Sequence, residues 1–86
     1  MSATLRPARV PTPGRIVRRE MEARGWTQKD LAHIMDRLEQ AISQIVRGCK
    51  RVTPEMALEL ASAFGTSADL WLNLEVAYRL HRARDE

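Results

Sequence analysis

The sequence predicts an all-α domain built from five short helices. Three observations predict it. Apolar residues recur at helical spacing, most plainly as Ala57, Leu60, Ala61 and Phe64, which occupy the i, i+3, i+4 and i+7 positions of one helix face. Residues that start and stop helices alternate along the chain, with Thr27, Thr53–Pro54 and Ser67 as starts and Gly25, Gly48 and Gly65 as stops. No segment shows the period-two alternation of a strand. The chain of 86 residues suffices for one domain and is too short for two.

The opening residues, MSATLRPARVPT, contain Pro7 and Pro11 and no helical period. Residues 1–12 are therefore expected to form a flexible arm, and residues 13–84 the folded domain. Helix 1 is expected over about 14–24, with Pro13 at its start and Ile16, Val17 and Met21 inward. Thr27 is a strong N-cap for helix 2, about 28–35, and Asp30 three residues on nearly completes a capping box. Leu31, Ala32 and Met35 are its buried side. The DRL turn leads to helix 3, about 39–47, with Ile42, Ile45 and Val46 inward. A charged loop, CKRV, then reaches Thr53 and Pro54, an N-cap followed by proline at the first helical position. Helix 4 follows over about 54–64.

Ser67 caps helix 5, about 68–82, where Leu70, Trp71, Leu72, Leu74, Val76, Ala77, Tyr78 and Leu80 cover more than one stripe. A helix apolar on several sides buries several sides. In so short a chain the second side most cheaply meets another subunit. A homodimer interface is therefore expected at Leu70, Trp71, Leu74, Ala77 and Tyr78, together with the end of helix 4.

Charge is graded along the chain. Six arginines stand against Glu20 and Glu22 in residues 1–26, five basic residues against three acids over 27–53, and three against six over 54–86. A basic front and an acidic rear suit a protein that turns one face to a polyanion. No apolar run approaches the ~18 residues of a membrane span, and the N-terminus lacks the apolar core of a signal peptide. The expectation is a cytoplasmic protein with no membrane partner. The single cysteine, Cys49, leaves no disulfide framework. His33 and His81 lie far apart without ligand spacing, so no metal and no cofactor are expected. No catalytic constellation is visible either: no Ser–His–Asp set, no phosphate loop, no HExxH. The chain is expected not to be an enzyme.

Function becomes legible over Gln28–Arg47. Two short helices meet at a turn of about three residues. Ala32 supplies a small contact where the helices cross, and Ile42 and Ile45 are buried on the second helix. This arrangement leaves the outer face of helix 3 free to enter a major groove.

Three stretches, PGRIVRREMEARGWTQ, then GWTQKDLAHIM–DRLEQAISQIVRG, then TPEMALELASAFGTSADLWLNLE, together resemble the HigA-type antitoxins. These are small members of the phage-repressor-like (XRE) helix-turn-helix group. The resemblance covers about residues 12–84, and the last stretch is its most specific part. It implies a five-helix phage-repressor-like DNA-binding domain. It also implies a dimer that binds operator DNA, represses its own operon and neutralises a HigB toxin, a RelE-like RNase that cuts mRNA. Two departures stand in the turn. Asp36 replaces the usual Gly, and Leu38 replaces the usual Pro or Ser. Asp tolerates left-handed geometry, whereas Leu38 deprives helix 3 of a capping oxygen unless Asp36 caps it one residue early. The departures bear on DNA affinity and not on the fold.

By the resemblance Gln28 bonds a phosphate at the start of helix 2, where the helix N-terminus also favours an anion. Gln40, Ser43 and Gln44 lie on the outer face of helix 3 and suit base edges, since an amide can pair with adenine at two atoms. Glu39 shares that row and suits a cytosine amine. Arg47, Lys50 and Arg51 follow helix 3 and suit phosphates. The ordinary alternative for Glu39 is a helix cap that repels phosphate, and for the others a solvated surface. Arg15, Arg18 and Arg19 fit that alternative better than contact with phosphate or toxin. Trp26 is expected to pack in the core against helix 1, and Cys49 to be a spectator thiol. The functional expectation is a DNA-binding antitoxin; a stand-alone repressor and a protein inhibitor that no longer binds DNA remain the alternatives.

Overall fold

The structure, a computed structural model, describes residues 10–85. Most of the expected N-terminal arm, residues 1–9, lies outside the described residues. Five helices follow in order: α1 (Pro13–Arg24), α2 (Gln28–Met35), α3 (Glu39–Val46), α4 (Pro54–Phe64) and α5 (Ala68–Asp85). The expected boundaries of α2 and α4 hold, and α5 runs three residues further than its periodicity indicated. Among the described residues no helix is long and apolar enough to cross a membrane.

The starts follow from side-chain oxygens that satisfy the first free backbone N–H groups. Thr27 and Asp30 form a reciprocal capping box, with Asp30 N–H donating to Thr27 Oγ1 at 3.1 Å and Thr27 N–H to Asp30 Oδ2 at 2.8 Å. Hydrogen bonding of the carboxylate by Thr27, first by its backbone N–H and then by its side chain, holds the Asp30 pKa below its ordinary value. Thr53 caps α4, and Ser67 accepts from Leu70 N–H at 3.1 Å. Thr12, counted with the arm on the sequence, is instead the N-cap of α1, its hydroxyl accepting from Arg15 N–H. The ordered domain therefore begins before Pro13.

The core joins all five helices: Val17 and Met21 of α1, Leu31 and Met35 of α2, Ile42 and Ile45 of α3, Met56 and Leu60 of α4, and Trp71 of α5. Helix α5 packs chiefly on α4 and also touches α1, while α3 packs on α2 and α1. One close approach sets the last of these contacts. Gly14 lies against the carboxyl end of α3, where an added Cβ would stand 2.0 Å from the Ile45 carbonyl oxygen. The first turn of α1 can reach α3 only because that position has no side chain.

An aromatic row joins the far side. The Trp26 and Phe64 rings stack at 5.7 Å, and Phe64 and Trp71 lie tilted at 5.7 Å. Arg24 covers both Trp26 and Phe64 and donates to the Phe64 carbonyl at 2.9 Å. Trp26 was expected to pack against helix 1; Arg24 of α1 does cover its ring, which also stacks on Phe64 of α4.

The structure corrects the expected dimer surface at Trp71. Its side chain is fully buried within the subunit, and its indole N–H donates to Thr66 Oγ1 at 2.8 Å. A ring so enclosed has no surface to offer a second chain. Leu70 and Ala77 are exposed, and Leu74 and Tyr78 are half-buried. The apolar side chains that α5 leaves in solvent also include Val76 and Leu80.

Candidate nucleic-acid interface

The turn between α2 and α3 is closed by backbone geometry. Asp36 adopts the left-handed conformation, φ 56° and ψ 48°. Its N–H donates to the His33 carbonyl at 3.2 Å and Arg37 N–H to the Ala32 carbonyl at 2.8 Å. This is the paired closure that glycine usually makes at a helix end. Asp36 is thus the stop of α2 and not, as the sequence left open, an early cap of α3. The cap position of α3 belongs to Leu38, which provides no side-chain hydrogen bond and is 77% exposed.

The turn is fixed from below by Arg37. Its guanidinium donates twice to Glu59 of α4, Nε to Oε1 and Nη2 to Oε2, each at 2.7 Å. This fork holds the Glu59 pKa below the ordinary carboxylate value and raises that of Arg37 further. The pair has no local sign in the sequence, because its members lie 22 positions apart.

Helix α3 then divides sharply. Ile42 and Ile45 are buried, whereas Glu39, Gln40 and Arg47 are exposed, and Ser43 and Gln44 are half-buried. Gln28 is half-buried at the first position of α2, and Lys50 and Arg51 are exposed in the loop after α3. All eight residues expected on the sequence to contact DNA thus reach solvent, from the α2 start, the α3 outer face and the following loop. No hydrogen bond or ion pair among the described residues holds the side chains of Gln40, Gln44, Arg47, Lys50 or Arg51. By contrast, Arg24, Arg37 and Arg79 are each held by a carboxylate. The free amides and cations can therefore meet base edges and phosphates without first breaking an internal bond.

Sequence reasoning missed Glu75. This α5 residue is 8% exposed, and its Oε1 accepts from the backbone N–H of Val52 at 3.0 Å. Its other oxygen accepts from Arg79 Nε. Val52 directly follows Arg51. The usable signal was a lone carboxylate within the apolar run NLEVAY, four residues after Trp71 and four before Arg79.

Comparison with known proteins agrees with this geometry. The family model described as helix-turn-helix matches residues 17–71. The chain belongs to the helix-turn-helix family. A relative in Escherichia coli K12, the uncharacterized HTH-type transcriptional regulator YddM, is 30% identical over 92% of this chain and 84% of its own length. Among solved structures, an addiction module antidote protein of the HigA family from Coxiella burnetii shares 32% identity. It superposes with a TM-score of 0.83 over 87% of this chain and 83% of its own. The Pseudomonas aeruginosa antitoxin HigA, solved with the higBA promoter, gives the same identity, coverage and TM-score. The fold and the resemblance read from the sequence therefore hold: the structural neighbours of this helix-turn-helix chain are HigA antitoxins.

Proposed function

We propose that this chain is the antitoxin of a type II toxin–antitoxin pair. It binds operator DNA as a homodimer in the cytoplasm, represses its own operon, and neutralises a RelE-like, mRNA-cleaving HigB-type toxin. The observation that carries the DNA-binding part is the outer face of α3, with Gln40 and Gln44 unpaired beside the free cations of Arg47, Lys50 and Arg51. Arginine and lysine hold phosphates and fix register, while the amides discriminate base edges. The Pseudomonas neighbour, an antitoxin solved with the higBA promoter, supports the DNA-binding reading. The exposed Leu70, Val76 and Leu80 of α5 support a second subunit, since apolar surface gathered on one helix is most stable when covered.

The test is a gel shift of the full chain on its own promoter and on a random duplex at one salt concentration. It is paired with co-purification of the product of the adjacent reading frame. Retardation of the promoter at protein concentrations that leave the random duplex free is the expected result, together with capture of a small basic toxin. A promoter that never shifts contradicts the DNA-binding reading. A promoter that shifts without any toxin-like neighbour supports a stand-alone repressor instead.

A further inference from the structure

A buried carboxylate is costly unless its oxygens are bonded, and the bonds that Glu75 makes say what it holds. It sits on the inner side of α5 beneath the loop that joins α3 to α4. The first half of that loop is fixed by α3 itself: Gly48 N–H donates to the Ile45 carbonyl at 3.0 Å and Cys49 N–H to the Gln44 carbonyl at 2.8 Å. The second half is fixed by α5, through the bond from Val52 N–H to Glu75 Oε1. Between these two anchors stand Lys50 and Arg51, exposed and unpaired. Arg79, one turn further along α5, donates to Oε2 and holds the carboxylate aimed at the amide.

We propose that Glu75 is a positioning residue for DNA binding: by gripping the Val52 amide it sets where Lys50 and Arg51 meet the phosphates. The inference rests on the reading that this loop holds the DNA backbone. It adds that α5, the helix with the uncovered apolar side chains, is mechanically joined to the phosphate contacts, so its seating and the strength of the grip vary together. A carboxylate that merely completed the core would leave the loop cations indifferent to its removal.

The test compares Glu75→Leu and Glu75→Gln in the full chain with wild type, on the promoter duplex and on a random duplex of equal length, across a salt series. Leucine fills the space but accepts no hydrogen bond. Glutamine keeps an oxygen for the Val52 amide. Glu75→Leu is expected to weaken both duplexes alike, by about fivefold at near-physiological salt for each phosphate contact released, and to make the log–log salt slope shallower by about one per contact. Glu75→Gln is expected to keep the wild-type slope. If Glu75→Leu does not fold, Glu75→Asp takes its place with the same expected loss, since the shorter side chain withdraws the carboxylate from the amide. A Leu variant that unfolds at lower temperature yet binds with the wild-type slope would overturn the proposal, because a purely structural role behaves in that way. So would a Gln variant that loses as much slope as the Leu variant. A wild-type chain with a flat salt dependence would overturn the reading of the loop as well, and is told apart from the other outcomes without any variant.

Discussion

Gly14→Ala tests how the domain is assembled around its recognition helix. The added Cβ would stand 2.0 Å from the Ile45 oxygen and 2.8 Å from the Val46 oxygen. A carbon and a carbonyl oxygen rest at about 3.3 Å, so α1 and the end of α3 must part by more than an ångström. Both obstacles are backbone atoms in the last turn of α3 and cannot swing aside as a side chain would. Overpacking costs about 1–3 kcal/mol, and the upper end applies here. The helix preference of alanine over glycine returns at most about 1 kcal/mol, and less in a first turn. The expected net loss is about 2 kcal/mol, out of a total stability of about 4–13 kcal/mol for a domain of this size. For such a domain that loss lowers Tm by about 8–16 °C. Thermal unfolding followed by circular dichroism reads it directly, with Gly25→Ala as the control. Gly25 has φ 69° and open space around it, so its alanine variant bears only the left-handed strain of about 1–2 kcal/mol. A Gly14→Ala protein as stable as wild type would refute the close approach and, with it, the stated placement of α1 against α3.

Three further outcomes are expected. The Glu59 carboxylate is held below its ordinary pKa by Arg37, so its contribution is complete above the unfolded value near pH 4.3 and fades as pH falls through the lower folded value. Because each partner is about a third exposed, solvent screens the pair. Glu59→Gln is therefore expected to lose about 1 kcal/mol at pH 7 and to converge with wild type in acid; urea titrations at several pH values check this, and a constant gap at every pH contradicts it. Leu38→Ser restores a capping oxygen to α3 and is expected to stabilise the fold by about 0.5–1 kcal/mol in thermal unfolding; an unchanged or lowered Tm counts against an uncapped α3. Sedimentation at micromolar concentration is expected to find a dimer that Leu80→Glu shifts toward monomer, and a wild-type monomer there removes α5 as the subunit contact.

Much of the fold was legible because its punctuation is local. Thr27 with Asp30, Thr53 with Pro54, and Ser67 each act on backbone groups within four residues, so their meaning can be read from the string itself. The outer face of α3 was legible for a related reason: the buried Ile42 and Ile45 assign every neighbouring side chain to the opposite side. What escaped is what depends on distant partners. Gly14 has no local signature, since its need for a missing side chain comes from the end of α3. Arg37 and Glu59 meet only once α4 lies beneath the turn. On α5 the apolar residues run around the helix, so periodicity could not say which side was inward. Trp71 was accordingly expected at a dimer surface although it is central to the core, and the buried Glu75 was passed over.

We propose that α3 reads DNA with the free amides of Gln40 and Gln44. Gln44→Ala tests it most directly, because Ile42 and Ile45 carry the burial of the helix and the fold is left intact. Binding of wild type and variant is measured on the promoter and on a random duplex at one salt concentration. The variant is expected to lose about 1–3 kcal/mol on the promoter and almost nothing on the random duplex. Equal losses on the two duplexes would contradict it, for Gln44 would then hold the backbone and not read the bases.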